Sequence, residues 1–151
     1  MTWTLHLPID LPSANRHGGA ATNARHAANA AMYRRQRATW ALLISRAMLA
    51  AGIPPVAVAP CRRAVTITRL WAKGCREWDD DNMSAACKGL RDAMQAARTT
   101  TRKGQVRAIP GAWLVVDDSK KWSRWAYEQR KSGDGRAGVL ITITDVPRSD
   151  P

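Results

Sequence analysis

"RRAVTITRLW" (residues 62–71), "AKGCREW" (72–78) and "DDDNMSAACKGLRDAM" (79–94) form the stretch whose reading decides the fold. The first piece is rich in β-branched residues, which pack well on a pleated surface, and predicts a strand over 62–71. In the last, Met83, Ala86, Cys87, Leu90, Met94 and Ala97 fall within an arc of roughly 100° on a wheel of about 3.6 residues per turn. That spacing predicts an amphipathic helix beginning at the aspartates. The junction between the two holds Glu77, Asp79, Asp80 and Asp81, in a chain with 24 lysines and arginines against 12 aspartates and glutamates.

Working outward, "TWTLHLP" (2–8) alternates Trp3, Leu5 and Leu7 with Thr2, Thr4 and His6, the pattern of a half-buried strand ended by Pro8. Residues 8–23 are rich in Pro, Gly, Ser and Asn and read as a loop. From 24 to 51 an Ala-, Arg-, Leu- and Met-rich run predicts a helix with Trp40, Leu43, Ala47, Met48 and Ala51 inward; Gly52, Pro54 and Pro55 stop it. The segment 98–111 reads as a basic, flexible loop, and "AWLVV" (112–116) as a short strand leading to Asp117 and Asp118. "KKWSRWAYEQR" (120–130) and "GVLITIT" (138–144) read as two strands joined by a hairpin turn in "KSGDGRA". Residues 146–151 are expected to be a disordered tail. The whole predicts a single α+β domain over 1–151, a mixed β-sheet packed against two main helices.

A formal charge of +12, with basic residues recurring from Arg16 to Arg136, implies an anionic partner such as a phosphate backbone. No apolar run approaches the ~20 residues of a membrane span, and no secretion signal opens the chain, so no membrane partner and a cytoplasmic location are expected. Cys61, Cys75 and Cys87 lack a C-x-x-C pairing or a nearby His, which disfavours zinc and disulfides and predicts buried reduced thiols. Trp3, Trp40 and Trp71 sit at core-patterned positions. Trp113, Trp122 and Trp125 flank Asp117 and Asp118, where core or interface packing competes with stacking on a base.

Two readings of "DDDN" stand side by side. In an extended chain Asp79 and Asp81 face one way and Asp80 the other; joined by Asp117 or Asp118, they would offer three oxygen ligands to Mg²⁺ or Mn²⁺. Equally, aspartates before a helix act as caps and favour its positive end. Lys88 and Asp92 likewise read either as an i,i+4 ion pair or, for Lys88, as a cation stabilising charge on a scissile phosphate.

The ordered set "DDDNMSAACKGLRDAM" then "VVDDS", with an opening "LPSANR" (11–16) and a closing "GVLITIT", resembles the RusA family of Holliday junction resolvases, common in phages and prophages. The resemblance spans nearly the whole chain and implies a RusA-like fold. It implies a homodimeric, Mg²⁺-dependent endodeoxyribonuclease (Mn²⁺ substituting) that places paired symmetric nicks in four-way DNA junctions. The family's metal-binding aspartates fall on Asp79, Asp81 and Asp118, and its essential lysine on Lys88; Asn82, Asp92 and Asp117 match accompanying positions. In the best-known members the lysine follows the asparagine by three residues; here the gap is six, a spacing associated with phage members. Asn15, Arg16, Arg76, Arg102, Lys103, Lys120 and Lys121 are the expected DNA contacts. Two alternatives are a less selective nuclease of flaps or forks and a non-catalytic basic DNA-binding protein.

Overall fold

The computed structural model describes residues 1–12, 23–57 and 61–147, with side chains from residue 30 onward in the first helix. The elements run β1 (Thr2–Leu7), α1 (Asn23–Ala50), β2 (Arg62–Trp71), α2 (Asp80–Met94), β3 (Arg98–Arg102), β4 (Gln105–Ile109), β5 (Ser123–Lys131) and β6 (Gly138–Val146). Four strands form one sheet in the order β1-β6-β2-β5, and β3 and β4 form a separate two-stranded sheet. The pairing β2–β5 is parallel, while β6 runs antiparallel to both β1 and β2. The described residues form the expected mixed-sheet α+β domain with two helices.

Side chains alternate faces along each strand, so the register defines rows across the sheet. Trp3, Ile143, Val65 and Trp125 make one row; Leu5, Ile141, Ile67 and Tyr127 make the next. This face packs against Trp40, Ala41, Ile44 and Met48 of α1 and Met83, Ala86, Cys87, Leu90, Ala93 and Met94 of α2. Leu43 and Ala47 are partly buried on it, whereas Ala51 is exposed, one position beyond the helix that was to bury it. Buried arginines bracket the apolar rows, Arg63 at the start of β2 and Arg69 near its end. The opposite face carries Thr4, Thr142, Thr66 and Ala126 in one row.

The end of α1 follows from Gly52, whose φ of 65° suits a residue without Cβ. Gly52 N–H donates to Leu49 O and Ile53 N–H to Met48 O, satisfying carbonyls that the last turn would leave orphaned, and Ile53 buries its side chain beside the helix.

Three expectations change. Segment 98–109 is a β-hairpin, not a loop: β3 pairs with β4 around Lys103 and Gly104, both at positive φ, as a two-residue hairpin turn requires. "AWLVV" is no strand. Its backbone instead caps α2: Ala112, Leu114 and Trp113 N–H donate to the carbonyls of Ala93, Met94 and Gln95. Strands β5 and β6 are not hairpin partners, because β2 lies between them and 132–137 cross over it. Val146 belongs to β6, and the rest of the expected tail from 148 lies outside the described residues.

The three thiols differ. Cys87 is fully buried, and burial pushes its thiol up to about 12; burial also raises Cys61, while Cys75 is exposed rather than buried as expected. A raised value keeps the thiol protonated and unreactive near neutral pH. In native protein at pH 8, a disulfide reagent such as DTNB should therefore titrate Cys75 at once and Cys87 only on unfolding. Three thiols reacting together in the folded protein would contradict this packing.

Candidate nucleic-acid interface and the acidic turn

The acidic turn is held against the carboxyl ends of β2 and β5. Gln129 of β5 pins the backbone of Trp78, its Oε1 accepting from Trp78 N–H at 3.0 Å and its Nε2 donating to Trp78 O at 2.8 Å. The Arg69 guanidinium stacks on the Trp78 ring, 3.5 Å from its centroid, and Arg69 Nη1 donates to Arg76 O at 3.2 Å. Burial lowers the Arg69 pKa. A cation on an indole face and a doubly bonded amide fix where the chain enters α2. Sequence reading missed this lock, since Arg69, Trp78 and Gln129 meet only once β2 and β5 pair.

Asp79 is the N-cap of α2, in extended backbone (φ −65°, ψ 159°), and its Oδ1 accepts from Asn82 N–H at 2.7 Å. Asp79 O accepts the first helical bond, from Met83 N–H at 2.9 Å. The helix therefore begins at Asp80, and the extended alternation that would aim Asp79 and Asp81 at one point does not hold. Asp80 and Asp81 are exposed in the first turn, where the helix's positive end favours carboxylates.

Asp117 and Asp118 follow the segment that caps the other end of α2, where Ala96 N–H donates to Val116 O at 3.3 Å. Asp117 folds its own turn, with Oδ1 accepting from Ser119 N–H at 2.8 Å and its carbonyl accepting from Ser123 Oγ at 2.9 Å. Asp118 is exposed beside it. The fifteen residues of α2 rise about 22 Å, so Asp118 stands roughly a helix length from Asp79 and Asp81. A Mg²⁺ ion needs its oxygen ligands at about 2.0–2.1 Å. Within one chain Asp79, Asp81 and Asp118 do not fit that requirement, and among the described residues no three His, Cys, Asp or Glu stand together to hold a metal.

Along α2, Asp81, Ala85, Lys88 and Asp92 share one stripe at i, i+4, i+7 and i+11. Lys88 is exposed, about 10 Å along the axis from Asp81. The expected Lys88–Asp92 ion pair is not formed among the described residues. Asp92 turns to α1 instead, accepting from the Tyr33 hydroxyl through Oδ2 and from Gln95 Nε2 through Oδ1. Burial, then the hydrogen bond to Asp92 and its negative charge, push the Tyr33 hydroxyl well above its ordinary value. Burial lowers Arg37 next door, opposed by the charge of Asp92 and assisted by that of Arg98. Helix contact is close here: a Cβ at Gly89 would lie 3.1 Å from the Trp40 ring. Nothing in the local pattern around Tyr33 marks it as a partner of Asp92.

The expected DNA contacts scatter around the molecule. Arg76 is exposed in the turn before α2, and Lys120 and Lys121 are exposed before β5, with Lys121 Nζ 5.2 Å over the Trp122 ring. Arg102 and Lys103 lie on the hairpin; Asn15 and Arg16 lie outside the described residues. Trp40 is core and Trp125 packs against it, while Trp113, at positive φ, leaves 36% of its surface exposed. No helix among the described residues is long and apolar enough to cross a membrane. Comparison of the chain with protein-family models, with curated proteins and with solved structures gave no match.

Proposed function

We propose that this protein binds branched DNA and acts on it as a Mg²⁺-dependent endonuclease of the kind that resolves four-way junctions, working in the cytoplasm as a homodimer. The observation that carries the binding half is the charge: +12 overall, with exposed cations at Arg76, Arg102, Lys103, Lys120 and Lys121 on separate surface segments. Such a surface holds phosphates along several arms and releases their counterions, so affinity rests on shape and backbone more than on base edges. A two-fold protein suits a near two-fold junction.

The cleavage half rests on the ordered resemblance, Asp79, Asp81, Lys88 and then Asp118, and not on an assembled site. A specific observation favours the second reading, a non-catalytic DNA-binding protein: Asp79 is engaged as a helix cap and Asp118 lies at the far end of α2. Incubating the protein with a four-way junction, a replication fork and linear duplex, each with Mg²⁺, separates the readings. The expected result is paired nicks in the junction, with the fork and duplex left intact. Cutting of forks as readily as junctions would replace the resolvase by a broader branched-DNA nuclease, and binding of all three without cleavage would leave only the second reading.

A further inference from the structure

The β3–β4 hairpin carries charge of one sign only. Residues 98–109 carry Arg98, Arg102, Lys103 and Arg107 and no carboxylate. Every residue from Arg98 to Ala108 is exposed, in a ribbon whose strands pair only with each other. An isolated two-stranded ribbon buries too little to be held by its own packing, so its outward surface needs another explanation.

The register sorts its side chains. Arg98 lies opposite Ile109, Thr100 opposite Arg107 and Arg102 opposite Gln105; Thr99 lies opposite Ala108 and Thr101 opposite Val106. Directly opposed residues share a face and neighbours in sequence alternate. All three arginines therefore fall on one face, with Thr100, Gln105 and Ile109, and the other face is uncharged. Lys103 adds a fourth cation at the tip. Arg107 Nη2 donates to Gln105 Oε1 at 3.3 Å, and Arg102, Lys103, Gln105 and Arg107 ring a recess of about 270 Å³.

The base is fixed while the tip is free. Arg37, buried between the helices, donates from Nε to Pro110 O at 2.9 Å. Gly111 lies so close to the end of α2 that a Cβ there would overlap Gln95 O and come within 2.8 Å of the backbone of Ala96 and Ala97. From that base a five-residue strand reaches about 17 Å. A B-DNA major groove is about 12 Å wide and about 8.5 Å deep and admits a two-stranded ribbon.

We propose that the β3–β4 hairpin is a DNA-binding arm: it enters a groove of the duplex with Arg98, Arg102 and Arg107 facing the phosphates and Lys103 leading. This deepens the binding half of the function above and rests on it. The arm reads backbone charge, so it adds affinity without sequence preference.

The test is the salt dependence of duplex and junction binding, measured for the wild type and for a triple variant Arg102→Gln, Lys103→Asn, Arg107→Gln. Asparagine tolerates the positive φ at 103, and the three sites are exposed, so the fold is kept. Removing three phosphate contacts should reduce the slope of log affinity against log salt by about 2.7. A charge-keeping variant, Arg102→Lys with Arg107→Lys, should retain the wild-type slope, and so should Thr101→Gln with Val106→Gln on the uncharged face. Wild-type binding with an unchanged slope in the triple variant overturns the arm and leaves the function standing. A wild type with no salt-dependent DNA binding overturns both. Phosphatidylserine vesicles bound through these three residues, with the DNA slope unmoved, would assign the arm to a membrane surface instead.

Discussion

Replacing Arg63 by methionine is expected to cost about 3 kcal/mol of folding stability. The Arg63 side chain is 1% exposed, and each guanidinium nitrogen has a partner. Nε donates to Asp145 Oδ1, Nη1 to Leu114 O and Nη2 to Pro54 O, each at 2.9 Å. One side chain thus ties the start of β2 to the end of β6, to the segment that caps α2 and to the turn after α1. The Trp3 ring, 5.7 Å from the guanidinium, adds an aromatic neighbour. Methionine fills much of the volume but leaves the carbonyl of buried Leu114 without its donor, a loss of about 1–3 kcal/mol, while that of Pro54, an exposed residue, can turn to water. Asp145 is 36% exposed, so water relieves its side of the pair and the total stays near the lower end for a broken buried ion pair. For a chain of this size the midpoint of thermal unfolding should fall by roughly 10 °C. Asp145→Asn, which keeps an acceptor in place, should cost about 1 kcal/mol or less. Equal losses for the two variants, or a loss under about 1 kcal/mol for Arg63→Met, would show that Arg63 is not the tie described.

Most of the fold is written in local pattern. Alternation marked β1, the β-branched run marked β2, and the spacing of Met83, Ala86, Cys87, Leu90 and Met94 marked α2, because each of these elements buries one face and the burial imposes its period. The β3–β4 hairpin imposes none. Thr99, Thr101 and Val106 are as exposed as Arg102 and Arg107, so hydrophobic periodicity has nothing to report, and the turn is Lys-Gly rather than the more recognisable Asn-Gly. "AWLVV" misled for the opposite reason: Ala112, Leu114 and Val115 are buried in an irregular segment, and a short apolar run does not reveal whether it is a strand. The separation of β5 and β6 by β2 is a matter of tertiary pairing that neither strand's residues encode.

The candidate site was legible in part. The aspartates do begin a helix, as the spacing of its apolar residues predicts. What local reading could not supply is that the helix starts one residue after Asp79, which makes Asp79 a cap, and that Asp118 follows a segment folded onto the other end of α2. Both depend on where the chain goes next, and both bear on whether these carboxylates act together.

A second large effect is expected at Asp81. Asp81 is exposed in the first turn of α2 and takes no part in capping it. Asparagine has its shape, so Asp81→Asn should lose only the dipole benefit of the charge, about 0.3–1 kcal/mol, and should fold normally. Near a phosphate backbone the removed negative charge should hold or slightly tighten binding. Asp80 is its neighbour, exposed and equally charged, but lies outside the positions at which the chain resembles the resolvases' metal-binding aspartates, so Asp80→Asn controls for general electrostatics. The direct measurement is four-way junction binding and Mg²⁺-dependent cleavage side by side for the wild type, Asp81→Asn and Asp80→Asn. Binding is expected undiminished in all three, with cleavage by the wild type and Asp80→Asn and a loss of about 10²-fold or more in Asp81→Asn. Cleavage by Asp81→Asn at the wild-type rate would overturn the endonuclease reading.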